Sequence, residues 1–189
     1  MAPAGKLIVL SAPSGAGKTS IAKVLLQRFP LMAFSISATT RPIRPGEEHG
    51  RDYFFLTKED FLRRVDHGEL VEWEEIFTNH YGTLKSEVDR ALANGQVMLF
   101  DVDVKGALSI KAMYTNDAVL IFVAPPSVEE LRARLLNRRT EDSATIERRM
   151  ARVSMEMEAG AQFDHRVVND DLQRASDEVT DLVRKALRA

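Results

Sequence analysis

The sequence predicts an α/β fold, a parallel sheet flanked by helices, on three observations. Short apolar runs recur along the chain, at Leu7 to Leu10, Val97 to Phe100, Val119 to Val123 and Arg166 to Val168, with helix-periodic stretches between them. Strands that alternate with helices build a parallel sheet. The first run leads into Ala12-Pro13-Ser14-Gly15-Ala16-Gly17-Lys18-Thr19, and a helical run from Ile21 to Phe29 leaves it, so the order there is strand, Gly-rich turn, helix. Finally, 189 residues of which 44% are apolar suffice for one good core, which predicts one domain with small insertions rather than several domains.

The Gly-rich turn decides the kind of α/β core. In such a turn successive backbone N–H groups point into one concavity at a helix N-terminus, where the macrodipole also favours an anion. Gly15 and Gly17 allow the backbone to approach phosphates without a Cβ in the way. Lys18 would lie against the β- and γ-phosphates, and the Thr19 hydroxyl is placed to ligate Mg²⁺. Ala12 stands where the usual signature has glycine, a departure of one methyl group. The reading is a nucleoside-triphosphate site on a P-loop NTPase core.

From Ser35 to Glu87 the texture changes. Phe34 to Ser37, Tyr53 to Leu56 and Leu70 to Ile76 read as short strands broken by prolines and glycines, which predicts a small β-rich insertion. Within it, Thr57 to His67 reads as a helix with Thr57 as N-cap and Phe61, Leu62 and Val65 on its apolar face. Trp73 reads as packing, and Glu87, Asp89 and Arg90 as a solvated helix face. Asp101 ends the next apolar run as a Walker-B-like acid should, and could hold Mg²⁺ directly or through water. After Val119 to Val123, Ser127 is expected as an N-cap with Glu130 completing a capping box. Arg132 to Arg152 carries Arg132, Arg134, Arg138, Arg139, Arg148, Arg149 and Arg152 around a polar stretch, and reads as a mobile loop dense in guanidinium groups. The last helix is expected from about Ser176 to Leu187, with Val179, Leu182, Val183, Ala186 and Leu187 on one face.

Composition excludes several classes. A formal charge of −2 argues against a nucleic-acid coat or a membrane-surface protein, so ligand charge must be met locally. The chain has no cysteine, which excludes disulfides, thiolate catalysis and Cys-ligated metal. No segment has the length of a membrane span and the opening residues form no apolar signal-peptide core, so the expected location is cytoplasmic. The histidines, His49, His67, His80 and His165, have no ligand spacing and read as exposed or packing residues.

A Gly-rich loop alone does not separate a GTPase, an ATPase motor and a small-molecule kinase. The insertion supplies the second substrate. Arg41 and Arg44 lie in the Pro-stiffened segment Thr39-Thr40-Arg41-Pro42-Ile43-Arg44-Pro45-Gly46-Glu47, followed by Gly50-Arg51-Asp52-Tyr53 and His80-Tyr81-Gly82-Thr83. Guanidinium forks with tyrosine hydroxyls suit a phosphate monoester. A phosphate acceptor is already anionic at neutral pH and needs no general base, consistent with the lack of a His/Ser/Asp triad. Phosphoryl transfer instead needs two phosphates placed in line and neutralised.

Together these stretches resemble the guanylate kinase family, from about Gly5 to Leu187. The resemblance rests on Ser11 to Thr19, Ser37-Ala38-Thr39-Thr40-Arg41, Gly50-Arg51-Asp52-Tyr53, Glu72-Trp73, Tyr81-Gly82-Thr83, Asp101-Val102-Asp103-Val104-Lys105-Gly106, Ala124-Pro125-Pro126-Ser127 and Val168-Asn169-Asp170-Asp171. It implies a core of residues 5–33, 88–132 and 151–187, a GMP-binding insertion of 34–87 and an Arg-bearing lid of 133–150. It implies ATP bound by Ala12, Pro13, Ser14, Gly15, Ala16, Gly17, Lys18 and Thr19, with Asn169 near the adenine. It implies that Arg41, Arg44, Tyr53 and Tyr81 hold the phosphate of GMP while Ser37, Glu72, Thr83 and Asp103 face its guanine. Lys18, Arg41, Arg134, Arg138 and Arg149 are then the catalytic residues, with Mg²⁺ at Thr19 and Asp101. The implied activity is transfer of the γ-phosphoryl group of ATP to GMP and dGMP in purine nucleotide metabolism. The implied partners are the small molecules ATP and GMP, with no nucleic acid and no membrane, and a homo-oligomer stays open.

Two rivals share the scaffold. A kinase-inactive, phosphopeptide-binding relative would lack an intact Gly-Lys-Thr, which is present at Gly17, Lys18 and Thr19. A kinase of another phosphate ester, such as a ribose bisphosphate, would have no use for Glu72 and Ser37 as readers of a base. A GTPase is disfavoured because neither Asn116-Asp117 nor Asn169-Asp170 forms the Asn-Lys-x-Asp guanine motif.

Overall fold

The computed structural model describes residues 5–76, 78–137 and 143–188. Its first strand, β1 (Lys6–Ser11), carries Leu7, Ile8, Val9 and Leu10, all fully buried, as a strand covered on both faces must be. There follow α1 (Lys18–Arg28), β2 (Ala33–Phe34), β3 (Ala38–Thr39), β4 (Phe54–Phe55), α2 (Lys58–Asp66), β5 (Leu70–Ile76), β6 (Asn79–Leu84) and α3 (Lys85–Ala93). The second half runs β7 (Val97–Asp101), α4 (Val104–Met113), β8 (Ala118–Ala124), α5 (Val128–Asn137), α6 (Ser143–Ala159), β9 (His165–Val168) and α7 (Leu172–Ala186).

Strands β2, β7, β1, β8 and β9 form the main sheet in that order, every neighbouring pair parallel. Ile8 and Leu10 face one layer with Ile21 and Leu25 of α1 and Val179 and Val183 of α7. Leu7 and Val9 face the other, with Val88 of α3 and Ala107 and Ile110 of α4. The predicted α/β class and its parallel sheet are therefore what the chain forms. A second sheet, ordered β4-β3-β6-β5, stands apart from the first, with β6 antiparallel to both β3 and β5. Phe61 of α2 fills the small core behind it.

The β-rich texture of the insertion is present but its strands differ from expectation. Phe34 to Ser37 is not one strand: Ala33 and Phe34 pair with Met98 and Leu99 in the main sheet, and the second sheet takes Ala38–Thr39 instead. His80 to Thr83, read only as a motif, lies in the central strand β6. Thr57 caps α2 as expected, accepting a hydrogen bond from Asp60 N at 3.1 Å, but Leu62 points outward. Trp73 is half exposed and packs only one side, against Phe61 and His80.

Arg132 to Arg152 is not a loop over its described length, because α5 reaches Asn137 and α6 begins at Ser143. Charged residues at helical spacing hid that periodicity. Ser127 accepts from Glu130 N at 3.0 Å as predicted, but the Glu130 carboxylate leaves the capping box half-made and pairs with Arg134 at 3.0 Å. The last helix starts a turn early, at Leu172, because Asp171 caps it by accepting from Arg174 N at 2.8 Å.

Candidate active site

Strand β1 ends at the Gly-rich loop, and α1 opens with Gly17 at its N-cap in the left-handed region, φ 94°. Neither a capping side chain nor an acidic residue occupies that first turn; Ser20 N and Ile21 N donate to Gly17 O, and the Lys18 and Thr19 amides are the ones open to an anion. Gly15 shares the same φ of 94°. Ala12, the departure from the usual signature, is buried in the apolar layer under the loop, where its methyl group packs.

Two positions lock the loop in place. Lys18 Nζ lies 2.6 Å from Asp101 Oδ1 and donates to Val102 O at 2.6 Å, while Thr19 Oγ1 donates to Asp101 Oδ2 at 3.1 Å. The carboxylate at the end of β7 thus binds the lysine and the hydroxyl together. Asn169, expected near an adenine, contacts the loop from the protein side. Its buried amide donates to Ala16 O at 2.7 Å, and a Cβ on residue 17 would lie 2.2 Å from its Nδ2. Asn169 therefore braces the loop from behind, and only glycine fits beneath it.

The cleft over this loop, about 350 Å³, is also lined by Glu74, Asp103, Arg152 and Glu156. A neighbouring cleft of about 300 Å³ shares Lys18, Glu74, Asp101 and Asp103 with it and adds Ser37, Glu72, Tyr81 and Gly82. Lys18 thus lines both. A larger apolar groove of about 730 Å³, around Phe29, Leu31 and Val97, lies at the opposite ends of the strands, away from these groups.

In the second cleft Glu72 Oε1 accepts from Thr83 Oγ1 at 2.6 Å. Burial pushes the Glu72 carboxyl above its ordinary range; the Thr83 bond opposes that rise, and the Asp103 and Glu74 charges add to it. Burial likewise raises Glu74, and raises Glu156 with Arg152 opposing. Asp103 caps α4, its Oδ1 accepting from Gly106 N at 2.8 Å, and its Oδ2 faces Arg152 at 3.7 Å. Gly106 lies against both acids: a Cβ there would stand 3.4 Å from Glu72 Oε2 and 3.3 Å from Asp103 Oδ1, a close contact.

The arginine segment meets this cleft at Tyr81, which lines it. Arg41 lies over the Tyr53 ring at 5.3 Å and the Phe55 ring at 5.7 Å, and the Tyr53 and Tyr81 rings meet at 6.2 Å. Its guanidinium makes a two-point ion pair with Glu47, at 2.7 and 3.1 Å. That bond raises Arg41 above its usual value, with Tyr81 adding to the effect, and holds the Glu47 carboxyl low. Arg44 is exposed.

The arginines expected as a lid divide. Arg134 donates to Asn169 O at 3.0 Å and pairs with Glu130, so it supports the loop from behind. Arg149 reaches the loop itself, donating to Ser14 Oγ at 2.6 Å. Arg138 lies outside the described residues. Glu47, Glu74 and Glu156 were not among the site residues expected from the sequence, and Arg152 was expected only as one arginine of the guanidinium-dense stretch. A carboxylate three residues after Arg44 in a Pro/Gly turn was a signal for Glu47, whereas Glu156 reaches the cleft only because α6 folds back over it.

The sequence matches the family described as Guanylate kinase over residues 4–186. It is 48% identical over 184 residues to the guanylate kinase of Bacteroides thetaiotaomicron, covering 97% of this chain and 90% of that protein. It is also 48% identical over 186 residues to the guanylate kinase of Salinibacter ruber, covering 98% of each. A crystal structure of guanylate kinase from Anaplasma phagocytophilum superposes with a TM-score of 0.73 at 30% identity, over 99% of this chain and 88% of that one.

Proposed function

Because the chain belongs to the guanylate kinase family and so transfers the γ-phosphoryl group of ATP to GMP, we propose that its adjoining clefts divide the two substrates. An oxygen of the GMP phosphate attacks the γ-phosphorus, the bond to the ATP β-phosphate oxygen breaks, and ADP and GDP leave. ATP phosphates take the Gly-rich loop, Ala12 to Thr19. GMP takes the neighbouring cleft, its guanine against Glu72, Ser37, Thr83 and Asp103 and its phosphate toward Arg41, Arg44, Tyr53 and Tyr81. The single observation that carries this division is that Lys18 lines both clefts, so one cation faces donor and acceptor phosphates at once.

Thr19 and Asp101 suit Mg²⁺, since a hydroxyl and a carboxylate 3.1 Å apart at the mouth of the loop are the hard oxygen donors that ion takes. When bound it neutralises charge on the phosphate oxygens. Lys18 and Arg149 supply further positive charge on the donor side, and Arg134 and Asn169 hold the loop that aligns it. Segment 133–150 acts as the lid on a core of 5–33, 88–132 and 151–187, and insertion 34–87 carries the acceptor; closure would exclude water. dGMP should be accepted as well, since it presents the same guanine edge and the same phosphate to these residues. No helix among the described residues is long and apolar enough to cross a membrane, and the cysteine-free composition supports a cytoplasmic location.

A coupled ADP-release assay with GMP, dGMP, AMP, CMP, UMP and a ribose bisphosphate tests the assignment. GMP and dGMP should turn over and the rest should not. Equal turnover of AMP would remove Glu72 from its role, and turnover of the sugar phosphate would remove the base from recognition altogether.

A further inference from the structure

Glu47 has no part in the division of substrates above, yet its carboxylate is held at three points. Its carboxylate accepts from Arg41 Nη1 at 3.1 Å, from Arg41 Nη2 at 2.7 Å and from the backbone N–H of Arg44 at 2.8 Å. Glu47 N in turn donates to Arg44 O at 3.1 Å, closing the Pro45-Gly46 turn on itself. The pair is largely out of water, with side-chain exposures of 12% for Arg41 and 20% for Glu47.

A guanidinium has five N–H groups, two on each terminal nitrogen and one on Nε. Arg41 Nη1 gives one to Glu47 and one to Pro42 O at 2.9 Å, and Nη2 gives one to Glu47. The two that remain, on Nε and on the outer side of Nη2, lie parallel on one edge of the plane, and the Tyr81 hydroxyl is the further group that acts on this guanidinium. Two parallel N–H groups on one edge are the fork that takes two oxygens of a phosphate. The stacking on Tyr53 and Phe55 fixes the plane, and Glu47 fixes the rotation within it.

We infer that Glu47 is a positioning residue for the acceptor phosphate: it occupies the end of the Arg41 guanidinium, turns the Nε edge toward the phosphate, and through Arg44 N sets the turn that carries the second arginine. This rests on the assignment of Arg41 to the GMP phosphate. The opposite possibility, that Glu47 is a stand-in anion displaced by the substrate, fits the geometry poorly, because Glu47 takes only the Nη1/Nη2 end and leaves the Nε edge to face another group.

Steady-state kinetics on Glu47→Gln, Arg41→Met and the double variant test it, with guanosine inhibition as the control that carries the base but no phosphate. Glu47→Gln loses the charge and one acceptor, so KM for GMP should rise about tenfold. KM for ATP and the inhibition constant of guanosine should stay within about twofold, and in the Arg41→Met background the change at Glu47 should add less than about twofold. Glu47→Asp, which retains the charge on a shorter arm, should recover part of the loss. Three results overturn the inference alone: an unchanged or lowered KM for GMP in Glu47→Gln when Arg41→Met raises it, an equal loss of guanosine affinity, or full additivity in the double variant. An unchanged KM for GMP in Arg41→Met overturns the phosphate assignment, and the inference with it.

Discussion

Replacing Glu72 by glutamine tests base recognition and the electrostatics of the acceptor cleft in one variant. Thr83 Oγ1 donates to Oε1 at 2.6 Å, so a glutamine placed there keeps its carbonyl oxygen at that position and turns its NH₂ toward the cleft. Guanine presents N1–H and a 2-amino group, a paired donor edge, and the NH₂ then meets a donor with a donor. A buried mismatch of this kind costs roughly 2–4 kcal/mol, a fall of about 30- to 1000-fold in kcat/KM for GMP. AMP, with an acceptor at N1, should lose less. Stability should move the other way. Burial raises the Glu72 carboxyl above its ordinary 4.5, so the folded chain binds that proton more tightly than the unfolded one. Stability then falls as pH rises from the unfolded value through the folded one. Glutamine carries no such penalty, so Tm of Glu72→Gln should match or exceed the parent at neutral pH, and that advantage should vanish below the ordinary carboxylate range. Steady-state kinetics with GMP and AMP, together with thermal unfolding across pH, give both readouts. A GMP kcat/KM within about threefold of the parent would refute the guanine assignment, and a lowered Tm at neutral pH would refute the burial argument.

Lys18→Ala should lower kcat by at least ~100-fold with GMP affinity largely retained, by single-turnover kinetics and titration; near-normal turnover would sink the donor-site reading. Arg44→Lys keeps the charge but loses the planar fork, so GMP should bind about tenfold more weakly in equilibrium titration while an ATP analogue binds as before. Gly17→Ala forces a Cβ to 2.2 Å from Asn169 Nδ2 at φ 94°, which should cost about 2 kcal/mol in denaturant unfolding and raise KM for ATP more than for GMP. Thr83→Val removes the bond that holds the Glu72 carboxyl down, so the acid limb of the pH profile of kcat/KM for GMP should shift to higher pH.

The main sheet and the Gly-rich loop were legible because their causes are local. A strand buried on both faces must be apolar throughout, as Leu7 to Leu10 are, and a phosphate loop needs Gly15 and Gly17 where no other residue takes φ near 94°. The insertion was less legible because two-residue strands such as Ala38–Thr39 have no periodicity to read, and their pairing depends on a distant strand, with Ala38 opposite Gly82 and Thr39 opposite Tyr81. The arginine-rich stretch misled for another reason: charge density resembles a loop when the helix face it covers is itself polar. Asn169 shows the limit most clearly. Its amide reaches Ala16 across the sheet, a contact that no spacing within the sequence announces.

Charge in the site follows one arrangement, and it explains how a chain of net charge −2 binds two polyanions. Lys18 is matched by Asp101, Arg41 by Glu47, and Arg152 by Asp103 and Glu156. A buried cation without a partner would cost several kcal/mol, so pairing lets the cleft store guanidinium and ammonium groups while the fold stays intact. It also governs selectivity. Each cation offers a phosphate only the donors its partner leaves, as with the Nε edge of Arg41, so an anion binds well only if its oxygens meet those donors in the right places. A loose cluster of the same arginines would attract any polyanion through its field alone. Removing a carboxylate should therefore not simply strengthen phosphate binding by adding positive charge. It should release a side chain whose geometry, more than its charge, distinguishes the phosphate of GMP from any other anion.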